Sequence, residues 1–321
     1  MHPPFDPELQ EVLVTLEGEM ATTSMTTELI PRMREAVDAL TPSISQLLSD
    51  GTVVVEEFVA EDDSGSQSIP MLVCRPVGRA GLSPGVIYFH PGGMISGSNR
   101  TGLDGLLSWV LSAGVIVASV GYRLAPEHPD PTPVLDGFAA LKWVFANGTN
   151  LGIDTNRVVL IGISAGGGIA AGVSLMARDE SGPEIAGQML IGPMLDDRQK
   201  TQSSGELEGE GTWDRISNTT AWASLLGQRA GSEDVSQYAA PARASDLRGL
   251  PPTFLDVGSV ETFRDETIEF ANRIWHAAGN AELHVWQGAF HGFDEAAPGA
   301  ALSRTARSTR TAWLIRRLGV E

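Results

Sequence analysis

The sequence holds a single cysteine, Cys74, among its 321 residues. One thiol closes no intrachain disulfide and builds no cysteine-based metal cluster; in an apolar run it reads as a small buried side chain. Positive charge is also scarce, with 22 Lys and Arg against 40 Asp and Glu, a formal net of −18. Such a surface repels phosphate backbones, so no nucleic-acid partner is expected. No apolar run approaches the ~18 residues of a membrane span. The best, Gly114 to Gly121, is strand-length. Met1 to Glu11 carries Pro, Asp and Glu where a secretion signal needs basic residues and an apolar stretch. The expectation is a soluble, cytoplasmic protein with no membrane contact. H-E-x-x-H and similar ligand spacings are missing among the 6 histidines, so neither a metal nor another cofactor is expected.

What remains is ordinary globular composition, 42% hydrophobic and 19% charged, near the upper size for one core. Residues 1–50 have helical spacing: Leu9, Val12, Leu13 and Leu16, then Leu29, Met33, Val37 and Leu40, with Pro31 marking a first turn. From Thr52 the period changes. Thr52–Val59 and Ile69–Arg75 read as an antiparallel pair around the polar turn Glu61 to Gly65. Six short apolar strands follow, at Val86–Phe89, Val115–Val120, Val158–Ile161, Met189–Ile191, Thr253–Val257 and Leu283–Trp286, separated by helical stretches. Fully apolar strands alternating with helices predict a mostly parallel eight-stranded α/β sheet covered on both faces. The stretch 196–240 interrupts the alternation. It is polar at first, then carries Trp213, Ile216, Trp222, Leu225 and Leu226 at helical spacing. Insertions at one sheet end are typically lids or binding loops. The division expected is N-terminal cap helices over 1–50, an α/β domain over 51–195 and 241–321, and a cap insertion over 196–240. Trp213 and Trp222 are candidate pocket walls, or else anchors of the insertion.

Chemistry collects at strand ends. Gly162-Ile163-Ser164-Ala165-Gly166 is a G-x-S-x-G sequence where a strand gives way to a helix, the setting of a nucleophile elbow. Helix onset at Ala165 puts free N–H groups and the positive helix end beside the serine. The same glycines also spell G-x-G-x-x-A over Gly166 to Ala171, with Asp196 or Asp197 at the distance of a ribose-binding acid. That reading implies a nicotinamide-dependent oxidoreductase, but gives Ser164 no role. His90-Pro91-Gly92-Gly93 follows the Val86–Phe89 strand as a loop that can aim the Gly92 and Gly93 N–H groups at a carbonyl oxygen. Pro91 has no N–H to offer, and His90 is expected to brace the loop. His291, in a short loop after the last strand, is the histidine placed to pair with Ser164.

Taken with Tyr122-Arg123-Leu124-Ala125-Pro126-Glu127 and His291-Gly292-Phe293, these motifs resemble the bacterial hormone-sensitive-lipase-like esterases, in that family's order over residues 90–293. The resemblance implies an α/β-hydrolase fold with a helical cap, and hydrolysis of short- to medium-chain carboxylic esters of small molecules. It implies an oxyanion hole from Gly92, Gly93 and Ala165, with Pro91 departing from the usual first glycine. It aligns the family acid with Glu261, giving Ser164 as nucleophile, His291 as base and Glu261 as its partner. Asp256 sits inside a strand, while Asp265 and Glu266 read as first-turn charges of a helix faced by Phe263, Phe270, Ile274 and Ala278. The Tyr122 to Glu127 run reads as a loop stiffened by an Arg–Glu pair and proline. The C-terminal helix reads as a solvated basic face of Arg304, Arg307, Arg310, Arg316 and Arg317, or as a homodimer or partner contact. The rival to an esterase on this fold is a non-catalytic small-molecule receptor.

Overall fold

Adjacent residues of a strand face opposite sides of a sheet, so a strand apolar throughout must be covered on both. β3 (Ser83–Phe89) shows this directly: Val86 and Tyr88 enter one core, Ile87 and Phe89 the other. The computed structural model describes residues 1–20, 24–48, 51–61, 65 and 68–320. The other strands are β1 (Val53–Glu61), β2 (Ser68–Pro76), β4 (Ile116–Val120), β5 (Ile153–Ile163), β6 (Gly187–Ile191), β7 (Thr253–Gly258) and β8 (Ala281–Trp286). They form one eight-stranded sheet in the order β1-β2-β4-β3-β5-β6-β7-β8. β2 is antiparallel to both of its neighbours and the pairs from β4 to β8 are parallel. This is the α/β-hydrolase fold. Of the polar turn expected between β1 and β2, residues 62–64 lie outside the described residues.

The helices are α1 (Pro7–Met20), α2 (Ile30–Leu40), α3 (Ile44–Leu47), α4 (Leu103–Ser112), α5 (Thr132–Leu151), α6 (Ala165–Asp179), α7 (Arg215–Leu226), α8 (Arg264–His276), α9 (Phe293–Ala296) and α10 (Ala301–Leu318). α5, α6 and α8 cover one face of the sheet; α4 and α10 cover the other. No described helix is long and apolar enough to cross a membrane. α1 buries Leu9 and Leu13 against Phe290 and Phe293, on either side of His291. α2 starts at Ile30 with Pro31 in its first turn, but Leu40 is exposed rather than packed. Ser24 bonds Asp214 at 2.5 Å, and Thr220 donates to the Met25 carbonyl at 2.7 Å, which ties the N-terminal segment to α7.

Four sequence expectations need correction. Arg310 is not on the outer face of α10: it is buried with Ser303, Ala306, Trp313 and Leu314, because positions 306, 310 and 313 share one side of a 3.6-residue helix. Arg123 does not pair with Glu127; it clamps Asp136 at 2.6 Å, while Glu127 pairs with Arg34 of α2 at 2.7 Å. Glu266 is more than a first-turn charge, being buried and accepting the N–H groups of Leu195 and Asp196 at 2.7 and 3.2 Å. Its helix, α8, ends at His276, before Ala278.

Candidate active site

The sheet register brings the chemistry together. Phe89 pairs with Gly162, Ile163 with Ile191 and Ile191 with Asp256, so the segments after β3, β5, β6 and β7 emerge at one end. Ser164 sits in the turn between β5 and α6 with φ 57° and ψ −121°, a region a non-glycine residue occupies only when its surroundings impose it. The glycines on either side make that possible. A Cβ on Gly162 would lie 2.0 Å from the Gly166 carbonyl oxygen, and one on Gly166 2.1 Å from the Phe89 oxygen. Close packing of the elbow against β3 therefore accounts for them. The same test gives the glycines of the dinucleotide pattern a packing role instead. Cβ atoms on Gly167 and Gly168 would strike Pro193 and the Met194 oxygen, so close packing of α6 accounts for these glycines as well. Asp196 and Asp197 are engaged by Arg198 at 2.7 Å and Arg243 at 2.6 Å.

His291 Nε2 lies 2.9 Å from Ser164 Oγ, and its Nδ1 lies 3.0 Å from Glu261 Oε1. The other Glu261 oxygen accepts the Gly258 N–H at 2.7 Å, which fixes the carboxylate's orientation. A carboxylate facing Nδ1 assigns the proton to that nitrogen and leaves Nε2 free to accept from the serine hydroxyl. Phe263 packs edge-on against the imidazole at 5.1 Å. A Cβ on Gly192 would sit 3.2 Å from the ring, so the histidine is enclosed on that side too. Ser164 and Glu261 are each 3% exposed. Asp265, four residues beyond Glu261, instead accepts the Ser203 N–H at 2.8 Å and pairs with Arg264.

On the other side of Ser164, Gly92 and Gly93 have φ of 125° and 63°. A Cβ on Gly92 would lie 2.3 Å from the Ser96 oxygen, and one on Gly93 2.6 Å from the Trp213 ring. The N–H groups of Gly92, Gly93 and Ala165 donate to no partner among the described residues. His90 stacks on Tyr122 at 4.1 Å, its Nδ1 pairs with the Pro91 carbonyl at 2.8 Å, and Tyr122 donates to the His90 carbonyl at 2.7 Å. Burial pushes the His90 imidazole down to about 4, so it stays neutral in neutral solution.

The insertion reaches both halves. Thr212 donates to the His291 carbonyl, and Thr262 donates to the Trp213 carbonyl at 2.9 Å. Trp213 thus stands against the glycine loop, whereas Trp222 is wholly buried in the core with α7. Three groups near the site escape the sequence reading: Arg310, which it places on a solvated face, and Asp294 and Arg34, to which it gives no role. Arg310 lies behind the histidine, joined to Asp294, and Arg34 donates to the Ile95 and Ala125 carbonyls at 2.7 and 2.9 Å. The α10 spacing could have revealed Arg310; nothing in the sequence marks Arg34.

The sequence profile of the alpha/beta hydrolase fold family matches residues 86–295 of this chain. Carboxylesterase NlhH of Mycobacterium tuberculosis is 33% identical over 271 residues, 81% of this chain and 82% of that one. Esterase LipI of the same organism is 36% identical over 214 residues, 66% of either chain. A solved structure of a bacterial heroin esterase superposes with a TM-score of 0.90 at 36% identity, covering 98% of both chains.

Proposed function

Because this chain belongs to the alpha/beta hydrolase fold family, among its hormone-sensitive-lipase-like esterases, and is a carboxylic ester hydrolase, we propose that it works through an acyl-enzyme on Ser164. The observation that carries this reading is the unbroken chain from Ser164 Oγ through His291 to Glu261. His291 Nε2 takes the hydroxyl proton as the oxygen attacks the ester carbonyl. The resulting oxyanion is met by the N–H groups of Gly92, Gly93 and Ala165, whose helix-end and glycine settings leave them undirected elsewhere. Collapse breaks the ester C–O bond, and His291 returns its proton to the leaving alcohol. Water then attacks the acyl carbon, again deprotonated by His291, releasing the acid and restoring Ser164. Glu261 holds the ring in the productive tautomer and stabilises the imidazolium.

In this reading residues 1–50 and 196–240 together form the cap. The contacts of Ser24 and Met25 with α7, and of Thr212 with the histidine loop, support that grouping. Small-molecule esters of short to medium acyl length are the proposed substrates, with Trp213 as one wall beside Gly93. The deciding experiment is steady-state hydrolysis of p-nitrophenyl esters of graded acyl length by wild type and Ser164→Ala. Turnover confined to the wild type is expected. Steady hydrolysis by Ser164→Ala above the spontaneous rate refutes the serine mechanism, and saturable binding without turnover by wild type makes the protein a receptor.

A further inference from the structure

Arginine at 310 is a costly residue to bury. Removing a guanidinium from water is strongly unfavourable unless its donors are all met, and such networks add little net stability over a well-packed apolar core. Arg310 is 5% exposed, yet its Nε donates to Asp256 Oδ2 at 2.6 Å and its Nη1 to Asp294 Oδ2 at 2.5 Å. Both carboxylates are buried as well. Trp286 Nε1 adds a second donor to Asp256 Oδ2 at 3.0 Å, and Arg307 lies 3.5 Å from Asp294 Oδ2. The opposite charge of Arg310 holds Asp294 below the usual carboxylate range despite its burial.

The partners' positions give the network a role. Asp256 lies in β7, five residues before Glu261. Asp294 lies in α9, three residues after His291. Arg310 comes from a third element, α10, and the rigid fork of its guanidinium reaches both at once. Glu261, His291, Asp256, Asp294 and Arg310 line one common small cavity. We propose that Arg310 is a positioning residue of the ester-hydrolysing machinery: by gripping Asp256 and Asp294 together it sets the separation of the two segments that carry Glu261 and His291. This rests on the reading of Ser164, His291 and Glu261 given above. Loosening the grip lets the imidazole swing off the line between carboxylate and serine, and a displacement near 1 Å costs about 10²-fold in rate.

The test is a double-mutant cycle on ester hydrolysis. Arg310→Lys keeps the charge but loses the fork; it should lower kcat roughly 10- to 100-fold with KM within about twofold. In a Glu261→Gln background, where the carboxylate–imidazole contact is already broken, the same substitution should change residual kcat less than about twofold, since effects within one unit do not add. Asp294→Asn, which releases one arm only, should act in the same direction and serves if Arg310→Lys does not fold. A folded Arg310→Lys variant with normal kcat, a loss seen only in KM, or an equal loss in both backgrounds each overturns the proposal. Glu261→Gln with wild-type activity would instead overturn the triad reading on which it rests.

Discussion

The two sides of Ser164 are built from different materials. On the histidine side the supports are buried charges: Glu261 against His291, and Arg310 between Asp256 and Asp294. On the side of the glycine loop the supports are neutral: the stacked pair His90 and Tyr122, backbone carbonyls, and glycines pressed against their neighbours. On the proposed mechanism, the difference follows from the work of each side. A proton relay needs an ionised partner held at one distance, so charge is concentrated and fixed there. A hole for an oxyanion needs N–H dipoles with nothing better to bond, and a carboxylate among them would compete with the substrate. Charge also reaches the loop side from α2, through Arg34, whose guanidinium meets the Ile95 and Ala125 carbonyls and the exposed Glu127.

The largest effect should come from breaking the charged side. Glu261→Gln keeps the shape of the side chain but not its charge, so the imidazole loses its tautomer and its stabilised cation. Turnover should fall on the order of 10⁴, with a melting temperature close to wild type. Activity within tenfold of wild type would show that the relay does not run through Glu261.

Acid should find the neutral side. His90 is buried with its ionisation pushed down to about 4, against an ordinary imidazole near ~6.5. The unfolded chain therefore binds this proton more readily than the folded one between those values. The stability that His90 contributes is fully present above about pH 6.5 and is lost as pH falls to about 4, a total on the order of 3 kcal/mol. Unfolding curves of wild type and His90→Asn, recorded from pH 7 to pH 4, test this. The variant should lose clearly less stability over that span, whatever its stability at pH 7. Parallel losses in the two proteins would mean that His90 titrates normally.

The same contrast explains what could be read from the sequence. Backbone-built features were legible because glycine and strand period encode them: the eight strands, the elbow at Ser164 and the His90 to Gly93 loop all stand where the pattern puts them. The placement of His291 after the last strand was legible for the same reason, and the family resemblance pointed to Glu261, which the structure sets beside it. Long-range charge pairs were not legible. Arg34 and Glu127 are 93 residues apart, and Arg310 and Asp256 are 54 apart, with no local rule joining them. An arginine defaults to solvent in any reading by residue type, and Arg310 was misplaced for that reason although its helical spacing opposed it. The Arg123–Glu127 pairing failed likewise, since nearness in sequence is a poor guide to partners in a loop.

Arg34 offers a smaller break, on the neutral side. Arg34→Gln removes the bonds to the Ile95 and Ala125 carbonyls, the first just after the glycine loop and the second within the Tyr122 to Glu127 run. It should cost roughly tenfold in kcat, less than the 10²–10³ for losing a hole donor outright, because the N–H groups remain and only their support weakens. Glu127→Gln spares both carbonyl bonds and should cost less than about threefold, as expected for a partly exposed ion pair. If the two substitutions are equally damaging, the ion pair rather than the carbonyl contacts is what matters.

The finest test separates two carboxylates of one short stretch. Glu261 and Asp265 are four residues apart, close enough that a single turn decides which one reaches the histidine. α8 begins at Arg264, so Asp265 lies in its first turn and is carried away from the sheet end toward the insertion. There it accepts the Ser203 N–H at 2.8 Å and pairs with Arg264 at 2.8 Å. Burial alone would raise its ionisation, but the hydrogen bonds from Arg264 and Ser203 win and hold it below the usual carboxylate range. Asp265→Asn keeps an oxygen for Ser203 and loses only the charge that meets Arg264 and the helix N-terminus. The cost should be about 0.3–1 kcal/mol, a melting shift of no more than about 2 °C, with kcat within about twofold. The two substitutions thus predict opposite signatures: a dead enzyme of normal stability for Glu261→Gln, and an active enzyme slightly weakened for Asp265→Asn. Should Asp265→Asn abolish turnover while Glu261→Gln retains it, the histidine in solution is partnered by the helix carboxylate, and the charged side of the site is organised one turn further along the chain.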